Sequence, residues 1–419
     1  MVSKKLTIIL AIILPLIAFS YLFQNQILNL KISNKKILTP DAANNLTYSD
    51  LINLELEYRL NLFGFNNNFT AIQDSILNKL AKQTPDQYLN KTENLAKIPI
   101  AIEIFLKMNQ RTNNPFYLEY AKRYGDFLLT LQNESGEVTW QCFTTGGWVT
   151  PGLISAFIEL FKITGNEKYL AAAENGGQYL LKSKVNEGWN EGSCSKNISL
   201  NFWTTQGSIY ALLKLYDTTN NKIYLDQIIK SSDYLITLQN KDGGWSQHYD
   251  SKNDSSIDGI SYINFSTTPG AMIALYQTYQ LTGNTKYLQA GLKGADWLTT
   301  SQDETGGWFA AYRNNIPTET EENYWWDHST IAAIDALLVT HVVKNSPSKF
   351  QWFPAWPEDE IFVEAFKHSL IESQANSYLK AAAKGRDKLI KALEQSSNSD
   401  LEIYSIRTIL LTMEDLELN

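Results

Sequence analysis

The chain has 419 residues, 44% of them hydrophobic, so it is long enough and apolar enough to bury a large core. Its 36 Lys and Arg residues against 44 Asp and Glu residues give a net charge of −8, which argues against nucleic-acid binding by broad charge neutralisation. Two cysteines exclude a disulfide-dense scaffold. Four histidines without zinc-binding spacing leave the cofactor unassigned, and a metal such as calcium would need oxygen ligands.

The N-terminus carries an apolar run of 18 residues, 6–23, directly after Lys4 and Lys5. This length just spans a bilayer, and no cleavage site of the A-x-A type follows, so we predict an uncleaved signal anchor over residues 1–24. The alternative is a cleaved secretion signal. The positive-inside rule places the rest of the chain outside the cytoplasm, as a stalk (25–44) and one domain (45–419).

The two cysteines, Cys142 and Cys194, occupy corresponding loops of neighbouring sequence repeats. An oxidising compartment would permit a disulfide between them, and two unpaired thiols are the equal alternative.

Internal repeats dominate the middle of the chain. A Tyr-Leu pair recurs at intervals of roughly fifty to sixty residues. Its tyrosines are Tyr117, Tyr169, Tyr224 and Tyr287, with a weaker fifth copy at Tyr378. An apolar stretch of helical period precedes each copy, so the repeat unit is two helices and a loop that begins near Gly-Gly-Trp. The first helix of each pair is apolar on nearly every side, which favours an inner helix and predicts an all-α, closed α/α toroid of about six hairpins.

Each of two repeats ends in a Gln, Gly and Trp at fixed spacing. These residues are Gln239, Gly243 and Trp245, then Gln302, Gly306 and Trp308. The pattern resembles the QW repeat of terpenoid cyclases and prenyltransferases, and the resemblance implies the ring fold. It does not imply their chemistry, because the chain lacks the cyclase Asp-x-Asp-Asp motif and the zinc site of protein prenyltransferases.

A second resemblance concerns residues 242–250 (DGGWSQHYD) and 262–272 (YINFSTTPGAM). They are similar to a pattern of family-10 pectate lyases, which share the helical toroid with glucuronyl C5-epimerases. The resemblance implies activity on a uronic-acid polysaccharide. The chain departs from the pattern at Thr267-Thr268, where the lyases have Asn-Asp, and it lacks their acidic calcium-binding run.

In a toroid of hairpins, the loops between hairpins converge on one end of the ring, and we call this end the loop face. Aromatic residues there can stack on sugar rings, and an arginine can bind a substrate carboxylate. The predicted substrate-binding residues are Trp148, Trp203, Trp245, Trp308, Trp325, Trp326, Tyr249, Tyr312 and Arg313. For the Gly-x-Trp tryptophans, including Trp189, the alternative is a structural role that ties neighbouring repeats together.

Asp327 and His328 are the strongest catalytic candidates from the repeat comparison. We align them with Thr-Pro and Thr-Gln pairs at the other inner helix starts, so Asp327 and His328 depart from the consensus of the repeats. The alternative role for Asp327 is that of a helix N-cap. His248, Tyr262 and Glu191 complete the predicted set, as proton-transfer groups and as a carboxylate partner for Asp327.

These observations favour an exported, membrane-anchored enzyme that acts on a carbohydrate polymer or oligosaccharide as a lyase, epimerase or hydrolase. The alternatives are a non-catalytic glycan- or peptide-binding module and a terpenoid-cyclase-like protein without the usual acidic motif. The sequence does not decide among them.

Overall fold

The computed structural model describes residues 97–140, 143–144, 149–189, 199–250, 255–256, 259–263, 267–318, 326–345 and 377–395. Ten helices lie within these residues: α1 (Lys97–Thr112), α2 (Pro115–Leu131), α3 (Val149–Thr164), α4 (Glu167–Ser183), α5 (Phe202–Thr219), α6 (Lys222–Thr237), α7 (Thr268–Thr282), α8 (Thr285–Ser301), α9 (Trp326–Asn345) and α10 (Ser377–Gln395). The helices predicted before residue 97 and after residue 395, together with Cys142 and Cys194, lie outside the described residues. No helix in the described part of the chain is long and apolar enough to cross a membrane.

The helices form two layers. Each odd-numbered helix packs against the next odd-numbered one, from α1 through α9, and each also packs against the even-numbered helix that follows it. The odd helices are buried almost throughout: α3 buries its Pro, Ser and Thr positions as well as its aliphatic ones. The even helices alternate buried and exposed residues. The predicted inner and outer helices of an α/α toroid are confirmed for these five hairpins.

The turn inside a hairpin is stabilised by a helix cap that recurs. An Asn side chain accepts a hydrogen bond from the backbone N–H two residues later and so satisfies one of the free donors of the outer helix. The four capping residues are Asn114, Asn166, Asn221 and Asn284. These short turns all lie at the end of the ring opposite the loop face.

The loops between hairpins carry short strands that the helical periodicity did not predict. They are β1 (Thr139–Trp140), β2 (Phe143–Thr144), β3 (Ser199–Asn201), β4 (His248–Asp250), β5 (Ser255–Ser256), β6 (Ser261–Tyr262), β7 (Ala311–Arg313) and β8 (Ile316–Pro317). They form a β1-β2 hairpin and two three-stranded antiparallel sheets, β3-β4-β5 and β6-β7-β8. Strands of two or three residues are too short to give a period in the sequence. Three pairings lie within one loop, and β3-β4 and β6-β7 join different loops.

The Gln and Trp of the repeat pattern join neighbouring hairpins. Gln239 Nε2 donates to the carbonyls of Gly243 (2.8 Å) and Ala290 (3.0 Å), and Ala290 lies on the next outer helix. Gln302 donates in the same way to Ala381 of α10 at 2.8 Å, so the weak fifth copy is an outer helix like the others. These contacts explain why Gln recurs where an outer helix ends.

Candidate functional site

The loop face brings together strands from several hairpins. His248 on β4 pairs with Asn201 on β3, and Tyr262 on β6 pairs with Ala311 on β7, two residues before Arg313. Since β4, β5 and β6 all belong to the loop between α6 and α7, the two sheets are consecutive along the face. Tyr262 and Arg313 therefore lie on paired strands of one sheet, and His248 lies in the other sheet.

Several predicted site residues are described only in part. Glu191, Trp148 and Trp325 lie outside the described residues. For another group the structure describes the backbone alone: His248 lies on β4, Trp203 in the first turn of α5, and Trp326, Asp327 and His328 in the first turn of α9. Their proposed roles stay predictions.

Trp245 and Trp308 do not have the predicted position for stacking on a sugar. Both side chains are 0% exposed. Their indole N–H groups donate to backbone carbonyls of the preceding outer helix, at 2.8 Å to Leu235 and 2.7 Å to Leu298. Trp189 is buried in the same way, with its indole bonded to Leu180 at 2.8 Å. The structural alternative therefore fits these tryptophans, and the substrate-binding prediction does not.

The same correction applies to Tyr249 and Tyr312, each 1% exposed. The Tyr249 hydroxyl accepts from the backbone of Ser246 at 2.7 Å and donates to a helix-end carbonyl at 3.0 Å. Tyr312 repeats both bonds, accepting from Phe309 at 2.9 Å and donating at 2.9 Å. Each tyrosine thus closes its own loop onto the end of an outer helix.

Three residues with side chains suited to a ligand retain accessible surface on the loop face. Arg313 is exposed and Tyr262 is half-buried. Phe309, which the sequence analysis did not select, is 37% exposed and is the residue after the buried Trp308. Its ring meets Tyr312 edge-on, with the centroids 6.3 Å apart. Among the described residues, Phe309 is a better aromatic contact for a ligand than Trp308.

The alignment that selected Asp327 and His328 is wrong by three residues. The backbone N–H of a Gly-x-Trp tryptophan donates to a threonine hydroxyl at an inner helix start, at Thr205, Thr268 and Thr330. The residue of α9 that corresponds to Thr268 is therefore Thr330, and the consensus threonine is present. The argument from a broken consensus no longer supports Asp327, which lies one turn before it.

The structure also reveals a charged cluster on the inner helices that the sequence analysis missed. Lys214 Nζ of α5 donates to Glu159 Oε1 at 2.8 Å and to Ser155 Oγ at 2.7 Å, both on α3. It also lies 4.0 Å from Glu103 of α1, which accepts from Ser155 at 2.7 Å. The ammonium stands 5.3 Å from the ring centroid of Tyr210. We call these five residues the inner-wall cluster.

The inner-wall cluster faces the centre of the ring. Glu103 and Lys214 belong to α1 and α5, which are separated by α3, yet their charged groups are 4.0 Å apart. The outer helices cover the opposite side of this layer, so the three helices can meet in this way only on its concave side. Lys214 lies about 13 Å along the helix axis from Thr205, well inside the ring from the loop face.

Mutual neutralisation governs ionisation in the cluster. Burial alone would lower the pKa of Lys214, but the carboxylates of Glu103 and Glu159 outweigh it and hold that pKa above its usual value. Burial would raise the pKa of Glu159, but the Lys214 charge and hydrogen bond outweigh burial and lower it. At neutral pH the pair is therefore an ammonium and a carboxylate. No group of His, Cys, Asp and Glu among the described residues could hold a metal ion.

One signal in the sequence could have located the cluster. Once the inner helices are aligned on their threonines, Lys214 occupies the same position as Glu159 and Gln277, and Tyr210 the same position as Ser155. Polar residues at matched positions of apolar helices indicate a shared inward face. The incorrect repeat alignment hid this pattern.

Comparisons with known proteins agree with the ring fold. The family model for the squalene-hopene cyclase C-terminal domain matches residues 147–318. Together with the two helix layers, this match confirms the resemblance to the α/α-toroid superfamily. No curated protein matches the chain.

Solved structures resemble the chain at low identity. A D-mannose isomerase has 14% identity and a TM-score of 0.49, covering 65% of this chain and 80% of its own. The cellobiose 2-epimerase of Bacillus thermoamylovorans B4167 has 14% identity and a TM-score of 0.48, and the match covers 71% of this chain and 75% of the epimerase. A family 10 polysaccharide lyase from Cellvibrio cellulosa has 22% identity and a TM-score of 0.26, and the match covers 38% of this chain and 45% of the lyase.

Proposed function

We propose that the protein binds and acts on a carbohydrate inside its helical ring. The observation that carries this proposal is the inner-wall cluster. A terpenoid cyclase needs a dry, apolar interior, whereas this inner wall presents an ammonium, two carboxylates and two hydroxyls. Such groups are costly beside a hydrocarbon but suit the many donors and acceptors of a sugar.

The loop face supports the same proposal. Arg313 and Tyr262 keep accessible surface, and Phe309 offers an exposed aromatic ring. Aromatic faces with a few polar groups around them are typical of sites that orient small ligands. Catalytic roles for Asp327, His328, His248 and Glu191 are part of this proposal, and lyase, epimerase and hydrolase chemistry are its alternatives.

A non-catalytic glycan-binding protein is the second candidate, and one observation favours it. Glu159, the more accessible carboxylate of the inner-wall cluster, is held ionised by Lys214. An acid catalyst needs a protonated group near neutral pH, and Glu159 cannot supply it.

Incubation of the full-length chain, purified in detergent, with neutral and uronate polysaccharides tests both candidates. Conversion would appear as new reducing ends for a hydrolase, as absorbance of an unsaturated product for a lyase, or as solvent deuterium in an unchanged polymer for an epimerase. Binding without any of these signals would establish the second candidate. Binding of an isoprenoid hydrocarbon, with no binding of any glycan, would refute the carbohydrate proposal.

We further propose that residues 6–23 anchor the protein in a membrane with the ring outside the cytoplasm. Lys4 and Lys5 support this orientation through the positive-inside rule. Protease added to intact cells should remove the ring domain, and complete protection of that domain would contradict the orientation.

A further inference from the structure

Tyr210 presents a buried hydroxyl beside the charges of the inner-wall cluster. The residue is 6% exposed, and within the described residues its hydroxyl hydrogen has no acceptor; the Lys214 ammonium, a donor, is the group beside it. Burial raises the pKa of this hydroxyl, and the Lys214 charge only partly offsets that rise, so it remains a neutral O–H donor at physiological pH. Buried polar groups almost always have a partner, so an acceptor from outside the described residues is expected here.

Acceptors lie next to this donor. Glu159 has a side chain 32% exposed, against 14% for Glu103 and 10% for Lys214, so its carboxylate is the accessible one. The Lys214 ammonium lies 2.8 Å from Glu159, 4.0 Å from Glu103 and 5.3 Å from the Tyr210 ring centroid, so the two carboxylates and the tyrosine surround one ammonium. A donor and a carboxylate acceptor side by side match neighbouring hydroxyls of a sugar ring.

The charges of the inner wall indicate which sugars fit. Lys214 is committed to Glu159 and Ser155, and Lys162, one turn further along α3, is paired with Asp217 at 3.2 Å. Lys107 of α1 has an interaction of its own. A substrate carboxylate would therefore meet Glu159 without an uncommitted cation among the described residues of this wall. Repulsion from Glu159 would oppose the binding of such a carboxylate, because the buried ammonium of Lys214 is already neutralised.

From these observations we propose that the inner-wall cluster is a subsite for an uncharged sugar residue, in which Tyr210 donates to one hydroxyl and Glu159 accepts from another. Glu103, Ser155 and Lys214 hold Glu159 in place from behind. This inference rests on the proposed carbohydrate function and deepens it, because it selects neutral over uronic-acid sugars at this subsite. It differs from the uronate substrate that the sequence resemblance implies.

Calorimetric titration of the full-length chain tests the subsite with cellotetraose and chitotetraose as neutral probes and tetragalacturonate as the charged one. We expect a neutral tetrasaccharide to bind more tightly than tetragalacturonate. Tyr210→Phe and Glu159→Gln should each weaken that binding by about tenfold, the loss of one hydrogen bond. Because the described residues give the Tyr210 hydroxyl hydrogen no acceptor, Tyr210→Phe should lower the stability towards urea much less than a variant that breaks a complete hydrogen bond.

Tyr276→Phe is the matched control. Tyr276 is a fully buried tyrosine on the inner helix α7, and its hydroxyl is bonded to Thr340 at 2.8 Å. This variant should lower the stability and leave the sugar affinity unchanged, the reverse of Tyr210→Phe.

Three results would overturn the inference while leaving the carbohydrate function intact. One is neutral-sugar binding that neither variant weakens. Another is tighter binding of tetragalacturonate that depends on Tyr210. The third is Tyr210→Phe behaving like Tyr276→Phe, which would identify a hydroxyl bonded only by structural water. Absence of binding by all three tetrasaccharides would also overturn the inference. The carbohydrate function itself is refuted by a separate result, namely that no glycan is bound or converted in the polysaccharide assay.

Discussion

Replacement of Lys214 by Met tests whether charge neutralisation holds the inner helices together. Met keeps the length and apolar stem of the side chain but leaves Glu103 and Glu159 facing each other without the ammonium. The Lys214 side chain is 10% exposed and its bond to Glu159 is 2.8 Å long, so this is a buried pair. Removal of one partner from a buried pair typically costs about 3–5 kcal/mol, and we expect a loss of that size at pH 7.

The pH dependence gives this prediction a second readout. In the wild type, Lys214 lowers the pKa of Glu159, so this carboxylate adds stability above its unfolded pKa and loses that contribution as the pH falls through its folded pKa. In Lys214→Met, burial without a countercharge raises the carboxylate pKa. The loss in the free energy of unfolding is then complete at neutral pH, where the carboxylates are charged, and it becomes smaller as they take up protons. The stability difference between the two proteins should therefore narrow from pH 7 towards pH 4.

Urea unfolding followed by tryptophan fluorescence measures these differences, and Lys162→Met is the matched control. Lys162 also bonds a carboxylate, Asp217, at 3.2 Å, but both side chains are exposed by more than 40%. An exposed pair contributes at most about 1 kcal/mol. Lys214→Met with Glu159→Gln should recover part of the loss. Equal losses for the two lysine variants, or a loss that does not change with pH, would refute the reasoning.

Two further predictions concern the links between repeats. Trp245→Phe removes the indole bond to Leu235 and leaves a cavity, so stability should fall by about 2–3 kcal/mol with no change in glycan affinity; weaker glycan binding at full stability would restore Trp245 as a ligand contact. Gly243→Ala should cost much more than Gly283→Ala in urea unfolding. Both glycines have positive φ (111° and 67°), but an added methyl group at Gly243 would lie 2.5 Å from the Lys293 carbonyl, whereas at Gly283 it meets nothing within 4 Å. Equal costs would show that φ alone matters.

Local patterns were sufficient for the hairpins but not for the site. The helical period, the recurring Tyr-Leu pair and the recurring Gln and Trp predicted inner helices, outer helices and their order, because each depends on neighbours in the chain. Trp245 and Tyr249 were assigned to a ligand because aromatic side chains suit both a core and a sugar site. Only their burial and their bonds to backbone carbonyls distinguish the two uses.

The sequence by itself determined a repeat of helix pairs with one apolar and one amphipathic member, since periodicity and helix capping are local properties of the chain. The tertiary structure decided which residues meet inside the ring. Glu103, Ser155 and Lys214 lie on three different helices, and their contact depends on the curvature of the helix layer and on the rotation of each helix within it. Both arise from the packing of neighbouring hairpins, which no local pattern specifies.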